Sequence, residues 1–255
     1  MPRSLTRVDL PTSILLGVRV HRATMAQAVD AVGRLIRDGG THQIVTVNGA
    51  MLVRAAHDES LRAELNNCTL AIADGAGVLL TAWLLGAPAL ARIPGVELAE
   101  AMCALAATHG YRVFLLGGQP GVAEEAASVL RRRYPALTVA GALHGYFTDE
   151  GSVTAQIRRS APHILLVGLG FPRQERWIAA HRSHLGVPVI MGVGGTFDVL
   201  AGRVRRAPKW VQNLGLEWVY RLVQEPRRWR VVIGLPQLVY LALRERVRHR
   251  RGSHP

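Results

Sequence analysis

The sequence predicts an α/β protein: a Rossmann-like core with a mainly parallel sheet covered by helices, plus a C-terminal amphipathic helical appendage. Three observations carry that prediction. Short runs that are apolar throughout alternate with helical patterns, as expected when parallel strands are buried on both faces. The alternation stops near Gly202. The remainder is basic: from Arg203 onward thirteen Lys and Arg stand against three Glu, which is +10 of the chain's net +13. The expected division is therefore a core over residues 1–202 and an appendage over 203–255.

With 255 residues, 49% hydrophobic content and 26 Gly, the chain can bury one large core or two smaller ones. "HQIVTVN" reads as a strand followed by a helix from about Gly49. "TLAIAD" is a second strand, leading into the helical "GAGVLLTAWLLG". "YRVFLLGG" precedes "PGVAEEAASVLRRRY", where Pro120 suits the first turn of a helix. "LTVAGALHG" and "HILLVGLG" are further strands, the latter before the helical "FPRQERWIAAHR". "VPVIMGVGG" ends the series. Beyond it, "VRRAPKWVQNLGLEWVYRLVQEPRRWR" and "LPQLVYLALRERVRHRR" read as amphipathic helices, broken near Pro226 and Pro236.

A sheet of this kind binds ligands outside the carboxyl ends of its strands. Those ends read "TVN", "IADGAG", "LLGGQPG", "VGLGFPRQE" and "MGVGGTFD", each joining small residues to a polar or charged one. Asp74 sits at such an end, as a helix N-cap or as a general base at the ligand face. Thr46 and Asn48 either hydrogen-bond a sugar or cap the next helix. Gly117 and Gly118, with Gly168, Gly170, Gly194 and Gly195 on the neighbouring ends, form either a backbone cradle for phosphate or plain turns. Gln174 and Glu175 follow Pro172 and are expected to point off the strand edge toward a ligand. Glu175 also reads as a favourable charge in a first helical turn. Asp198 is a binder of ribose or base, or a cap.

Other classes are excluded by what the chain lacks. Cys68 and Cys103 form no CxxC pattern, so neither a disulfide framework nor a zinc site is expected, and a reducing compartment fits. The ten histidines make no HExxH, and His181 and His184 share a helix face without an evident acidic third ligand, so no metal site is expected. No GxSxG or Walker motif occurs, and the dinucleotide fingerprint of an oxidoreductase is absent. No signal peptide is read at the N-terminus. The late apolar run "VVIGLPQLVYLAL" falls short of the roughly 20 residues that span a bilayer. The basic tail calls for a polyanionic partner: phosphate, diphosphate, nucleic acid or anionic lipid. Arg221 and Arg228 lie two turns apart among Trp210, Trp218, Tyr220 and Trp229, which suits an interfacial helix. A purely nucleic-acid-binding protein would leave Asp74 and the glycine-rich strand ends without a purpose.

Taken in order, "TVNGAMLVRAAHDESLRAELNNCTLAIADGAGV", "VFLLGGQPGVAEEAASVL", "ILLVGLGFPRQERWIAAH", "GVGGTFDVLAGRVRRAPKWVQNLGLEWVYRL" and "EPRRWR" resemble the TagA/WecG/CpsF glycosyltransferase family. The likeness runs from Leu15 to Arg230. It implies inverting transfer of a sugar from a UDP-sugar donor to a polyprenyl-diphosphate-GlcNAc acceptor, with no metal or other cofactor. Products of such enzymes are wall teichoic acid linkage units, enterobacterial common antigen and capsule or exopolysaccharide precursors. The sugar implied is N-acetylmannosamine or a relative, with UDP-glucose as the alternative donor. By the same resemblance Asp74 matches the catalytic base, and Thr46 and Asn48 match its polar neighbours. Arg92 matches a pocket arginine, although Pro94-Gly95 stands where the family often has Thr-Gly. Gln174 matches the glutamine of the PxQE motif, and Arg221 and Arg228 match appendage arginines that close over the diphosphate. Val231 stands where a further Arg is common. The expected working place is the cytoplasm, peripheral on the inner face of the cell membrane. The expected partners are an anionic membrane surface and no nucleic acid; homo-oligomerisation is left open.

Overall fold

The structure, a computed structural model, describes residues 8–213, 217–224 and 229–252. A two-stranded antiparallel hairpin comes first, β1 (Thr12–Leu15) and β2 (Val18–His21). Its two-residue turn places both Leu16 and Gly17 at positive φ, the turn that suits the twist of a tight hairpin. The helix α1 (Met25–Asp38) follows, started by a reciprocal capping box between Thr24 and Gln27.

Six strands then build one parallel sheet: β3 (His42–Val47), β4 (Leu70–Ala73), β5 (Arg112–Gly117), β6 (Thr138–Leu143), β7 (Ile164–Gly168) and β8 (Val189–Gly192). Their spatial order is β4-β3-β8-β7-β5-β6. The chain winds outward from β3 to β4, crosses to β5, and returns through β7 to β8 beside β3. Connecting segments hold α2 (Gly49–His57), α3 (Glu59–Asn66), α4 (Ala76–Leu85), α5 (Gly95–His109), α6 (Val122–Arg133), α7 (Glu150–Ser160), α8 (Arg173–Leu185) and α9 (Thr196–Leu200).

The all-apolar strands explain why both faces are covered. On β7, Ile164 and Leu166 enter one core with α1, α5 and α6, while Leu165 and Val167 enter another with α7 and α8. Val45 and Val47 of β3 join a third core with α2, α3 and α4. This is the α/β architecture expected from the alternating pattern.

Two local expectations are corrected. Pro120 does not open α6, which starts at Val122 behind Gly121. Gly118 and Gly121 both adopt positive φ, so the chain completes a turn through Pro120 before the helix begins. Pro236 does not break the late helix. After α10 (Lys209–Asn213) and α11 (Glu217–Gln224), α12 runs continuously from Trp229 to Gly252 with Pro236 inside it. Its packing outweighs the missing N–H. Leu238 and Ala242, just past the proline, are buried. Leu238 fills a notch where α2 and α4 meet at glycines: its Cδ2 lies 3.1 and 3.2 Å from where a Cβ would stand on Gly49 and Gly77. Pro226 lies outside the described residues. No described helix is long and apolar enough to cross a membrane.

Candidate active site

The carboxyl ends of β3 and β4 bring the first group of residues together. Asp74 donates its backbone N–H to Val47 O (2.7 Å), which holds it against the neighbouring strand end. Asn48 begins α2, its side chain accepting from Met51 N at 3.1 Å. That is the capping reading of Asn48, and it leaves the amide group at the strand edge. Asp74 is not the side-chain cap of α4: the N-cap there is Gly75, with no side-chain bond. Its Oδ2 instead accepts from Gly95 N (3.2 Å), the first residue of α5. A Cβ on Gly95 would lie 3.2 Å from Thr46 Oγ1 and 3.3 Å from Asp74 Oδ2. A side chain there would crowd both groups, so Gly95 lets α5 start directly over them.

These residues open into a cavity of about 230 Å³, lined by Thr46, Asn48, Asp74, Pro94, Gly95, Val96, Val193, Gly195, Thr196 and Glu217. Beside it, at the ends of β5, β7 and β8, lies a hollow of about 430 Å³. Gly118, Gln119, Gly145, Tyr146, Gly168, Leu169, Gly170, Arg173, Gly194, Gly195 and Asp198 form its walls. Gly195 belongs to both. The hollow is built from backbone. Gly118 donates its N–H to Gly168 O (3.0 Å) and Gly145 donates to Gly118 O (2.8 Å). A Cβ on Gly117 would stand 2.3 Å from Gly168 O, an approach only glycine permits. Asp198 sits in the first turn of α9 behind the N-cap Gly195, so it is not the cap itself.

Gln174 and Glu175 turn inward, contrary to the expected outward direction. They are 3% and 2% exposed. Gln174 donates through Nε2 to Glu175 Oε1 (2.8 Å) and accepts through Oε1 from Gly194 N (2.9 Å). A Cβ on Gly192 would lie 2.6 Å from Gln174 Nε2, so the pair is packed beneath the end of β8. Early positions of a helix can face either side of a sheet edge, and here α8 faces them toward the core. Burial pushes the Glu175 carboxyl up to about 7. Its Oε2 is buried and makes no hydrogen bond among the described residues.

Arg92 donates through Nη2 to Glu217 Oε2 (2.5 Å), linking the core to α11. Arg206 sits 3.7 Å from Glu217 Oε1 through Nε and pairs with Glu97 Oε1 through Nη2. Of the expected appendage arginines, Arg221 lies on α11 with its side chain outside the described ones, and Arg228 lies outside the described residues. Glu217, Arg206, Arg173 and Tyr146 were not singled out from the sequence. Glu217 carried one signal, a lone carboxylate in the aromatic "LEWVYRL". Among the described residues no group of three His, Cys, Asp or Glu could hold a metal ion. His181 instead meets Glu150 on the surface, Nε2 to Oε2 2.9 Å.

Residues 13–252 match the model of the glycosyl transferase WecG/TagA/CpsF family. An N-acetylglucosaminyldiphosphoundecaprenol N-acetyl-beta-D-mannosaminyltransferase of Staphylococcus aureus (strain MW2) is 34% identical over 229 residues, 89% of this chain and 90% of that protein. The protein of the same name from Staphylococcus aureus (strain NCTC 8325 / PS 47) is similar to the same extent: 34% over 229 residues, with 89% and 90% covered.

Proposed function

The chain belongs to the WecG/TagA/CpsF family of glycosyltransferases, and on that premise we propose that it transfers N-acetylmannosamine or a relative from a UDP-sugar to polyprenyl-diphosphate-linked GlcNAc. As a hexosyltransferase of that family, it serves the synthesis of cell-envelope polysaccharide or teichoic acid. The observation that carries the reading is the juxtaposition at Gly195. A cavity holding the carboxylate of Asp74 adjoins a hollow in which six of the eleven walling residues are glycines.

The chemistry follows from these materials. Asp74 takes the proton of the acceptor hydroxyl as that oxygen attacks the donor's anomeric carbon from the face opposite UDP. One bond forms, the bond to the UDP oxygen breaks, and the configuration inverts. Thr46 and Asn48 supply hydrogen bonds to the sugars. The diphosphate leaves with added negative charge, which needs fixed donors. Gly118, Gly168, Gly170, Gly194 and Gly195 give the hollow its backbone surface, Gly117 packs behind them against Gly168, and Asp198 reads the nucleoside. Arg92, Arg221 and Arg228 meet the phosphates in place of a metal. Gln174 serves from below, accepting from Gly194 N, and Glu175 holds Gln174 in place.

The same reading divides the chain into core 1–202 and appendage 203–255, and sets it peripherally on the inner face of the membrane. Support comes from the outer surface of the appendage. Tyr240, Leu243 and Val247 are exposed beside Arg244, Arg246 and Arg248 on α12, a composition that suits an anionic interface.

The test is to incubate the full chain with short-chain polyprenyl-diphosphate-GlcNAc and UDP-N-acetylmannosamine, its uronic acid or UDP-glucose, with and without EDTA. Mass spectrometry then weighs the products. One N-acetylmannosamine added per acceptor, undiminished by EDTA, is the expected result. Transfer of glucose alone would move the donor assignment, and no transfer from any donor, or transfer abolished by EDTA, would overturn the reading.

A further inference from the structure

The cavity beside Asp74 is not polar throughout. Val96 and Val193 line it together with Thr46, Asn48 and Thr196. The two valines are each only 7% exposed. Val193 has no backbone group to spare. Its N–H donates to Val167 O (2.8 Å), and its carbonyl accepts from both Thr196 N (3.1 Å) and Thr196 Oγ1 (2.7 Å). What it offers a ligand is its methyl groups. It belongs to the same buried core as Ile93 and Phe197, a firm backing for those methyls. Thr196 is 5% exposed, and its one hydroxyl hydrogen is given to Val193 O. Its Oγ1 therefore keeps only acceptor capacity. An apolar side chain and a buried acceptor are thus tied together by a direct hydrogen bond between the residues that supply them.

We propose that Val96, Val193 and Thr196 are specificity-determining residues that recognise the acetamido group of an amino sugar. Thr196 Oγ1 accepts its N–H, and the valines hold its methyl. This rests on the reading that the cavity receives a sugar of the transfer reaction.

The acetamido group matches these materials because it carries a donor and a methyl on one short, planar unit. Its carbonyl needs a donor in turn, which Asn48 can supply: Oδ1 already accepts from Met51 N, so the amide N–H groups are what that side chain has left to give. A hydroxyl at the same ring carbon could still donate to Thr196 Oγ1. It would bring no methyl to the valines, and water left beside them would find no partner there. Burying the methyl instead adds the ordinary gain of apolar contact. Both sugars of the proposed reaction carry this group, so either the donor or the acceptor can fill the seat.

Steady-state kinetics of the full chain and of V193T and V96T tests this. Threonine keeps the branched shape of valine and replaces one methyl by a hydroxyl. UDP-N-acetylmannosamine against UDP-mannose probes the donor. A short-chain lipid diphosphate carrying GlcNAc against one carrying glucose probes the acceptor. The wild type is expected to favour the acetamido substrate in at least one arm. In both variants the kcat/KM ratio of that pair should fall about tenfold, the lower end of what a small apolar group in a pocket discriminates. The arm that responds identifies the sugar. T196V, which has no acceptor, should lower the same ratio, whereas T196S should retain it. Melting curves confirm folding, and the two valine positions give independent readings. Ratios unchanged in both arms, or equal losses for acetamido and hydroxyl substrates, would overturn the proposal and leave Val96 and Val193 as core residues. No transfer by the wild type from any donor would instead overturn the reading of the cavity as a sugar site.

Discussion

The cavity at β3 and β4 and the hollow at β5, β7 and β8 lie on one edge of one sheet and share Gly195, yet they are made of different materials. The cavity presents side chains: Thr46, Asn48, Asp74 and Glu217, the last three each held by a polar contact. The hollow presents main chain, with glycines set so close that a Cβ on Gly117 would strike the next strand. The difference teaches what each can do. Side-chain groups can accept and donate protons. A backbone surface offers fixed N–H donors that need no reorganisation as charge develops. On the proposed function, chemistry is assigned to the first region and nucleotide retention to the second.

The largest effect that would break this division is predicted at Asp74. Asp74→Asn keeps an oxygen for Gly95 N but no longer accepts a proton. Turnover should fall by about 10²–10⁴-fold with little change in melting temperature, the usual worth of a general base. Steady-state kinetics and calorimetry check this, and a twofold loss would return Asp74 to a structural role. Next comes the support of the cavity from behind. Leu238 of α12 packs on Gly49 and Gly77, just past Asn48 and Asp74. Leu238→Ala should cost about 2–5 kcal/mol where α12 docks. Limited proteolysis should then cut α12 first, with turnover reduced.

A smaller change should affect both regions at once. Gln174→Leu leaves the half-buried Gly194 N without its acceptor, a cost of about 1 kcal/mol. Because Gly194 and Gly195 form the shared wall, donor KM and kcat should both worsen. A change in only one would show that the regions are less coupled than their common loop implies. The mildest effect is at Glu175, whose carboxyl burial holds at about 7. Unfolded, it titrates near ~4.3. The folded state therefore binds the extra proton between those values. Its contribution to stability is complete below the lower one and is lost as pH rises through the upper. Melting of the wild type should decline from about pH 5 to pH 8 relative to Glu175→Gln, which flattens that part of the profile.

The parts legible in the sequence were those fixed locally. Strands β3 to β8 are mostly apolar, and their ends announced Asp74, Thr46, Asn48 and the glycines. Direction was not legible at Gln174 and Glu175, because a strand-to-helix turn can place an early helical residue above or below the sheet edge. Only the packing under Gly192 decides it. Pro236 was read as a break, but burial of Leu238 carries the helix through it. The pairing of Arg92 with Glu217 spans 125 positions and leaves no periodic trace. Gly95 illustrates the same limit from the other side. Its identity is plain in the chain, while its reason, the crossing of α5 over Thr46 and Asp74, exists only in three dimensions.

The division between proton transfer and nucleotide retention is tested most directly by titrating UDP into two variants of the full chain, Asp74→Asn and Asp198→Asn. The account predicts that Asp74→Asn binds UDP as the wild type does. Asp198→Asn should bind about tenfold more weakly, the worth of one hydrogen bond to a charged group. Loss of UDP binding in Asp74→Asn with none in Asp198→Asn would contradict it.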